Sequence, residues 1–350
     1  EDDFVSRHGL VKGSMNLIDE ARAEQLYGDM GQAIEVSGGS AGNTAAGVAS
    51  LGGKAAYFGK LKADQLGSIF RHDMRAQGVA FDTAPATDGP ATARSFILVT
   101  PDSERTMNTY LGACVNFTVA DVDRKVVEAA QVTYMEGYLW DRPEAKEAFK
   151  LAAKIARAAG RQTSITLSDS FCVERHRDSF LDLIRNDIDI VFANAGVAAF
   201  GPIAYIEPDA WKRCIEVNVF GVFNTIRAAL PAIMQQRGYV LINASSSSFA
   251  HPPVMSAYAA SKSAVEAMGN SLRIEMAAHG VGVGVVHAGW VRTPLVTEGA
   301  MHPGFVRLRA TMPGPLNSET SPEETARVIV QGMMQRKRRV WVPGWLRILF

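Results

Sequence analysis

The sequence predicts an α/β protein: a Rossmann-like parallel sheet with helices on both faces, plus a small antiparallel β lid near 94–110. Three observations predict it. Short apolar runs alternate with helical periodicities almost throughout the 350 residues. The run Ile188 to Ala193 fits a strand buried on both faces, as covering helices require. Between 94 and 110 the pattern changes: "RSFILVT" and "ERTMNTY" flank Pro101-Asp102-Ser103, which reads as an antiparallel hairpin.

In chain order, residues 19–30 read as a helix and 33–36 as a strand. Residues 43–51 read as a helix entered through a glycine turn, 55–60 as a strand and 64–77 as a helix. After the hairpin come strand 132–138, helix 143–159, strand 163–168, helix 174–186 and strand 188–193. A helix over roughly 207–235 follows, with strand 239–243, a long helix 256–278, strand 281–287 and a helix 322–335. Ser321-Pro322-Glu323-Glu324 is a good start for the last of these. No repeat, low-complexity tract or Gly/Ser linker interrupts the pattern, so a sheet continuing across residue 194 is expected.

Apolar residues make up 47% and charged residues 21%, ordinary for a globular protein. Lys plus Arg equals Asp plus Glu at 36 each, so no net field recruits nucleic acid or an anionic membrane. Cys114, Cys172 and Cys214 lie far apart, and the seven histidines show no ligand spacing. No disulfide framework, zinc site or other metal is expected, and a cytoplasmic location fits. No apolar run approaches the ~18 residues of a membrane span, and the acidic start Glu1-Asp2-Asp3 is unlike a signal peptide.

The most informative stretch is "INASSSSFAHPPVMSAYAASKSAVEAM", residues 242–268. Tyr258 and Lys262 stand one turn apart on one helix face. A free phenol, with a pKa near about 10, is a poor catalyst at neutral pH, and a neighbouring ammonium favours its phenolate. Ser245, at the end of strand 239–243, could hold a substrate carbonyl oxygen beside that phenol. An isolated Tyr-x-x-x-Lys is an ordinary helix face; four elements in order are not. Residues 188–345 resemble the short-chain dehydrogenase/reductase family: "YAASK", Ser245, Asn218 in "EVNVFGVF" and the Asn194-Ala195-Gly196 turn match its motifs. The resemblance implies Tyr258 as acid/base and Lys262 as its assistant and nicotinamide-ribose ligand. It places Asn218 in a proton relay and Thr293 of "HAGWVRTP" at the nicotinamide amide. Asn194 and Gly196 would line the cofactor, and His251 a substrate loop. "HAGW" has Ala288 where the family has proline.

The family's Thr-Gly-x-x-x-Gly-x-Gly turn, which seats the dinucleotide phosphates at a helix N-terminus, should lie upstream. Residues 110–130 contain only Gly112. In its place residues 4–194 resemble the ribokinase-like (PfkB) carbohydrate kinase family, adenosine-kinase branch. "EVSGGSAGNTAAGVASLGGKAAYFGKLKADQLGSIF" matches its Gly-Gly signature and "GPATARSFILVTPDSERTMNTYLGA" its lid. That resemblance implies ribose contacts from Gly38, Gly39 and Asn43 under the lid. The family's first strand, with an aspartate for the sugar hydroxyls, would precede Glu1. Its Gly-Ala-Gly-Asp turn, which supplies the catalytic base and anion hole, has no counterpart here, so ATP is not expected as a ligand.

The chain therefore reads as a chimera: a ribokinase-like part over 1–194 joined to a short-chain-dehydrogenase-like catalytic half over 195–350. Strand 188–193 would be shared by both. The leading expectation is a hybrid without a complete native activity. The alternatives are an NAD(P)-dependent oxidoreductase acting on a carbonyl or alcohol through Tyr258 and Lys262, and a nucleoside or sugar binder without turnover. NAD(P) would bind only if another turn rescued the phosphate site. "VSGGSAGNTAAG" imitates such a turn, with Gly38, Gly42 and then Thr44 at the third glycine's place. The branched Thr44, the long interval to Asn194 and the kinase reading of the same glycines count against it. "RKRRVWVPGWLRILF", 336–350, could dock a membrane surface; packing on its own domain is the plainer expectation.

Overall fold

Apolar stripes on the helices and β-branched runs between them are buried in two compact units of a computed structural model, which describes residues 2–100, 105–168, 170–299 and 302–349. One unit comprises Glu1–Arg161 with Ile165–His176, the other Gln162–Ser164 with Arg177–Phe350. Both are mixed α/β.

In the first unit the order is α1 (Asp2–Arg7), β1 (Met15–Leu17), α2 (Glu20–Asp29), α3 (Ser40–Ser50), β2 (Ala55–Ala56), α4 (Gln65–Ala76) and β3 (Val79–Ala80). Next come β4 (Arg94–Val99), β5 (Arg105–Tyr110), α5 (Arg124–Ala129), β6 (Val132–Glu136) and α6 (Pro143–Ala158), followed by β7 (Gln162–Thr166) and α7 (Ser170–Asp187), whose residues are divided between the two units. The lid hairpin forms as expected: β4 and β5 are antiparallel from Arg94↔Tyr110 to Val99↔Arg105. Its turn, Pro101-Asp102-Ser103, lies outside the described residues. β1 adds in parallel to β5, a strand the sequence pattern did not announce. α4 starts where Asp64 accepts from the Gly67 amide at 2.8 Å, and its buried Met74 packs with Leu61, Val79 and Phe81. The helix over 174–186 is longer than expected, beginning at Ser170, and leaves helical geometry at His176 (φ −128°, ψ 19°).

The strand expected at 33–36 does not form. Residues 33–39 carry no regular structure, and Ile34 and Val36 are 91% and 80% exposed. Residues 33–36 are all exposed, with Glu35 accepting from the Tyr27 hydroxyl at 2.6 Å, and the following Ser37 donates to Asp73. A strand needs a ladder partner, and among the described residues none pairs with this segment. "AAYFGK" is likewise only a two-residue strand, Ala55–Ala56.

The second unit continues with β8 (Ile190–Ala193), α8 (Pro208–Ile215), a π-helical turn (Glu216–Gly221), α9 (Val222–Gln235), β9 (Tyr239–Asn243) and α10 (Ser256–Glu275). It ends with β10 (Gly282–Ala288), β11 (Trp290–Val291), α11 (Pro294–Gly299), α12 (Pro303–Thr311), β12 (Glu319–Thr320), α13 (Pro322–Met334) and β13 (Arg339–Val342). Four of these strands form an all-parallel sheet in the order β13-β10-β9-β8. α10 and α13 cover opposite faces. Gly269 of α10 sits against Val285 and Ile242, whereas Gly332 of α13 sits against Val340, which pairs with Val286. Alternation along β10 sends Val285 and Val286 to opposite sides.

β8 pairs in parallel with β9, with Val191 and Ala193 buried and Ile190 and Phe192 half-buried. It ends the strand order, so among the described residues the strand expected to be shared is an edge of the second unit's sheet. The C-terminal segment packs on its own unit, as β13 beside β10. Among the described residues one helical run, Pro208–Gln235, is long and apolar enough to cross a membrane by length and composition. Its α9 portion packs on β8 and β9.

Candidate active site

α10 is long because "SAYAASKSAVEAM" is rich in alanine and free of glycine until Gly269. It turns Lys262 inward. That side chain is 3% exposed, its Nζ donates to the Asn243 carbonyl at the end of β9 (2.7 Å), and it lies 5.5 Å from the Tyr258 ring centre. The Ser248 hydroxyl donates to the Lys262 carbonyl at 2.9 Å, tying the same turn to the loop after β9. Ser245 is buried at the head of that loop. It accepts from the Ser247 amide (3.2 Å) and donates to the Ala288 carbonyl at the end of β10 (3.3 Å). Ends of parallel strands are where such sheets carry their ligand crevices.

Asn218 sits fully buried in the π-helical turn. It accepts from the Val197 amide (2.8 Å) and donates to the Val197 carbonyl and to Ser261 Oγ, each at 2.9 Å. Ser261 in turn donates to the Tyr258 carbonyl at 2.7 Å. Asn218 thus joins the backbone following the Asn194-Ala195-Gly196 turn to the helix of the tyrosine. The fit at Gly196 is close: a Cβ there would lie 3.3 Å from Asn218 Oδ1 and 3.4 Å from Lys262 Nζ. The exposed Asn194 accepts from Asn243 Nδ2 at 2.8 Å. Thr293 caps α11, its carbonyl accepting from the Val296 amide at 3.0 Å. Its hydroxyl donates to the Val291 carbonyl at 3.2 Å.

Burial brings the Lys262 ammonium down to about 8. Burial also pushes the Tyr258 phenol above its ordinary value, opposed by hydrogen bonding to Ser245 and reinforced by Cys214. The net shift of the phenol is upward rather than the expected downward one, because desolvation of the phenolate is the largest influence on it. The spacing of motifs gave no sign of Cys214, a buried thiol that accepts from Asn218 Nδ2 at 3.4 Å. Among the described residues, Cys114, Cys172 and Cys214 form no disulfide. His251 lines a cavity of about 650 Å³ with Pro252, Pro253 and Ser263. That cavity meets the flank of α10 bearing Ser256, Ala259, Ala260 and Ser263, a different flank from that of Tyr258 and Lys262.

In the first unit, Gly39 (φ 92°) precedes α3 in a conformation that favours glycine, and its carbonyl accepts from the Asn43 amide at 2.8 Å. Gly38, Gly39 and Asn43 are exposed. Thr44 is exposed too, its hydroxyl donating to the Ser40 carbonyl. A polar cluster that motif reading missed lies at the ends of β6 and β7. The buried Glu136 accepts from Ser168 Oγ (2.6 Å) and the Tyr134 hydroxyl (3.4 Å), and Tyr134 also bonds Thr44 and Thr166. A carboxylate placed one residue before Gly137, at a strand end, was its visible signal.

Comparison with known proteins resolves the two parts. The pfkB family carbohydrate kinase model matches residues 13–199, more than half of the chain. The chain belongs to the pfkB family. A second model, short chain dehydrogenase, matches residues 141–303, so this pfkB protein is a two-part chimera with a dehydrogenase-type second part. Adenosine kinase from Sinorhizobium meliloti is 62% identical, covering 55% of this chain and 60% of its own, with a TM-score of 0.53. An uncharacterized NAD-dependent oxidoreductase of Mycobacterium tuberculosis is 34% identical over 151 residues, 41% of this chain and 55% of its own. A dehydrogenase/reductase SDR family member 7B from Bos taurus is 33% identical over 159 residues, 43% of this chain and 49% of its own. The chain spans about half the length of the curated relatives it matches.

Proposed function

We propose that the dehydrogenase part carries an acid/base site for a carbonyl or alcohol, and that the chimera completes neither parent reaction. The observation that supports this reading is the network Val197–Asn218–Ser261–Tyr258 beside Lys262 and Ser245. A carbonyl oxygen held by Ser245 would receive the Tyr258 proton. Lys262, with its pKa near 8, can lose and regain a proton close to neutrality. Three cysteines outside any disulfide suit a reducing, cytoplasmic setting.

NAD(P), when bound in this family, supplies the hydride. The residues present fit only one end of it. Lys262, Gly196 and Thr293 would face the nicotinamide ribose and amide, but the phosphates need free amides at a helix N-terminus. Residues 110–130, where the sequence interval of the family would put that turn, contain only Gly112 and no glycine cluster. We therefore expect NADH and NADPH, titrated by fluorescence, to show no saturation at ordinary concentrations. Tight saturable binding abolished by Gly42→Val would move the cofactor to the Gly38–Thr44 turn and overturn this reading.

The 62% identity to an adenosine kinase supports a second reading, nucleoside or sugar binding by Gly38, Gly39 and Asn43 without turnover. Calorimetric titration with adenosine should show weak binding that Asn43→Ala removes. ATP-dependent phosphorylation that Asn43→Ala abolishes would contradict the absence of turnover.

A further inference from the structure

The equal totals of acidic and basic residues conceal a local concentration of cations at the amino-terminal edge of the second unit's sheet. The segment "RKRRVWVPGWLRILF" is divided by the fold. Val340 and Val342 are buried in the sheet, whereas Arg336, Lys337, Arg338 and Arg339 are exposed at its opposite end. Arg237 and Arg273 join them. Arg336 Nη2 donates to the Arg237 and Gly238 carbonyls, and Arg273 Nη2 donates to the Arg338 carbonyl at 3.4 Å. The Tyr239 hydroxyl, donating to the Lys337 carbonyl at 2.7 Å, feels both Arg336 and Arg273. Among the described residues, the carboxylate that meets these six cations is Glu266, 3.5 Å from Arg339 and also felt by Arg273; Glu275 is the other acid on this stretch of α10. Helix C-termini favour some positive charge, but by a fraction of a charge each.

Two exposed apolar side chains flank the cluster. Ile274 follows Arg273 and is 80% exposed; Met334 ends α13 just before the basic run and is 70% exposed. Cations bordered by protruding apolar groups match an anionic lipid surface, where headgroups take the charge and the interface takes the side chains. A nucleic acid duplex would use the same cations on its phosphates but gain little from Ile274 and Met334. We propose that this edge docks the protein on anionic membranes.

Sedimentation of the full chain with phosphatidylcholine vesicles, with and without phosphatidylserine, tests this. Binding is expected only with phosphatidylserine and should fade as sodium chloride is added. Lys337→Glu with Arg338→Glu should weaken it roughly tenfold. Ile274→Ser with Met334→Ser should weaken it as well. These four side chains are exposed, and circular dichroism should show parental folding in each variant. No sedimentation, indifference to phosphatidylserine, or parental binding by either double variant would overturn the proposal. So would tighter binding to duplex DNA that Ile274→Ser with Met334→Ser leaves unchanged.

Discussion

Gly196 and Gly38 each belong to a turn that the sequence connects with a ligand, yet their surroundings differ completely. Around Gly196 a new Cβ would meet Asn218 and Lys262; around Gly38 it would meet nothing within 4 Å. The turn in the second unit is exposed too, but it rests against the buried side chains of Asn218 and Lys262. The turn in the first unit follows a segment with no ladder partner. A motif thus carries its geometry into a hybrid only when its supporting elements travel with it.

The comparison can be broken most forcefully at β8. Val191→Asp places an unpaired charge in the buried edge of the second unit's sheet and should cost several kcal/mol, read from chemical denaturation. A parental melting curve would show that the second unit does not rest on that strand. Next in size is a pH effect. Because the Lys262 pKa falls to about 8 when folded, the unfolded chain holds more protons above that pH, and stability rises with pH until the free lysine titrates. Between pH 8 and 10 the parent should gain about 2 kcal/mol relative to Lys262→Met. Equal pH profiles would place that ammonium in water.

Any carbonyl reduction that the protein displays should vanish in Tyr258→Phe with little change in stability, since the phenol ends on Ser245 rather than in the core packing. Full retention would move the proton donor elsewhere. The smallest effect belongs to the first unit. Gly38→Ala should change stability by less than about 0.5 kcal/mol, as an open surface position allows. A loss of several kcal/mol would mean that this turn is as enclosed as its counterpart.

The second unit's site was legible because its parts are local: a tyrosine and lysine one turn apart, a serine ending a strand, and an asparagine within one helix. What stayed hidden depends on distant partners. The upward shift of Tyr258 comes from burial, which spacing does not encode. β13 was obscured because "RVWV" follows three cations and precedes a Pro-Gly pair. The 33–36 segment has strand alternation, but a ladder is a property of two segments, and pattern reading sees one.

The π-helical turn at Glu216–Gly221 gives the molecule an unusual sensitivity to length. A π turn accommodates one residue more than an α turn, so the helix on either side keeps its own phase. Removing one residue here would restore regular winding and rotate α9 by about 100° against α8. Either Asn218 would swing off the Val197 backbone, or Val222, Ile226 and Ala229 would leave their buried side. At this point in the chain, a deletion of any single residue should be worse tolerated than most substitutions.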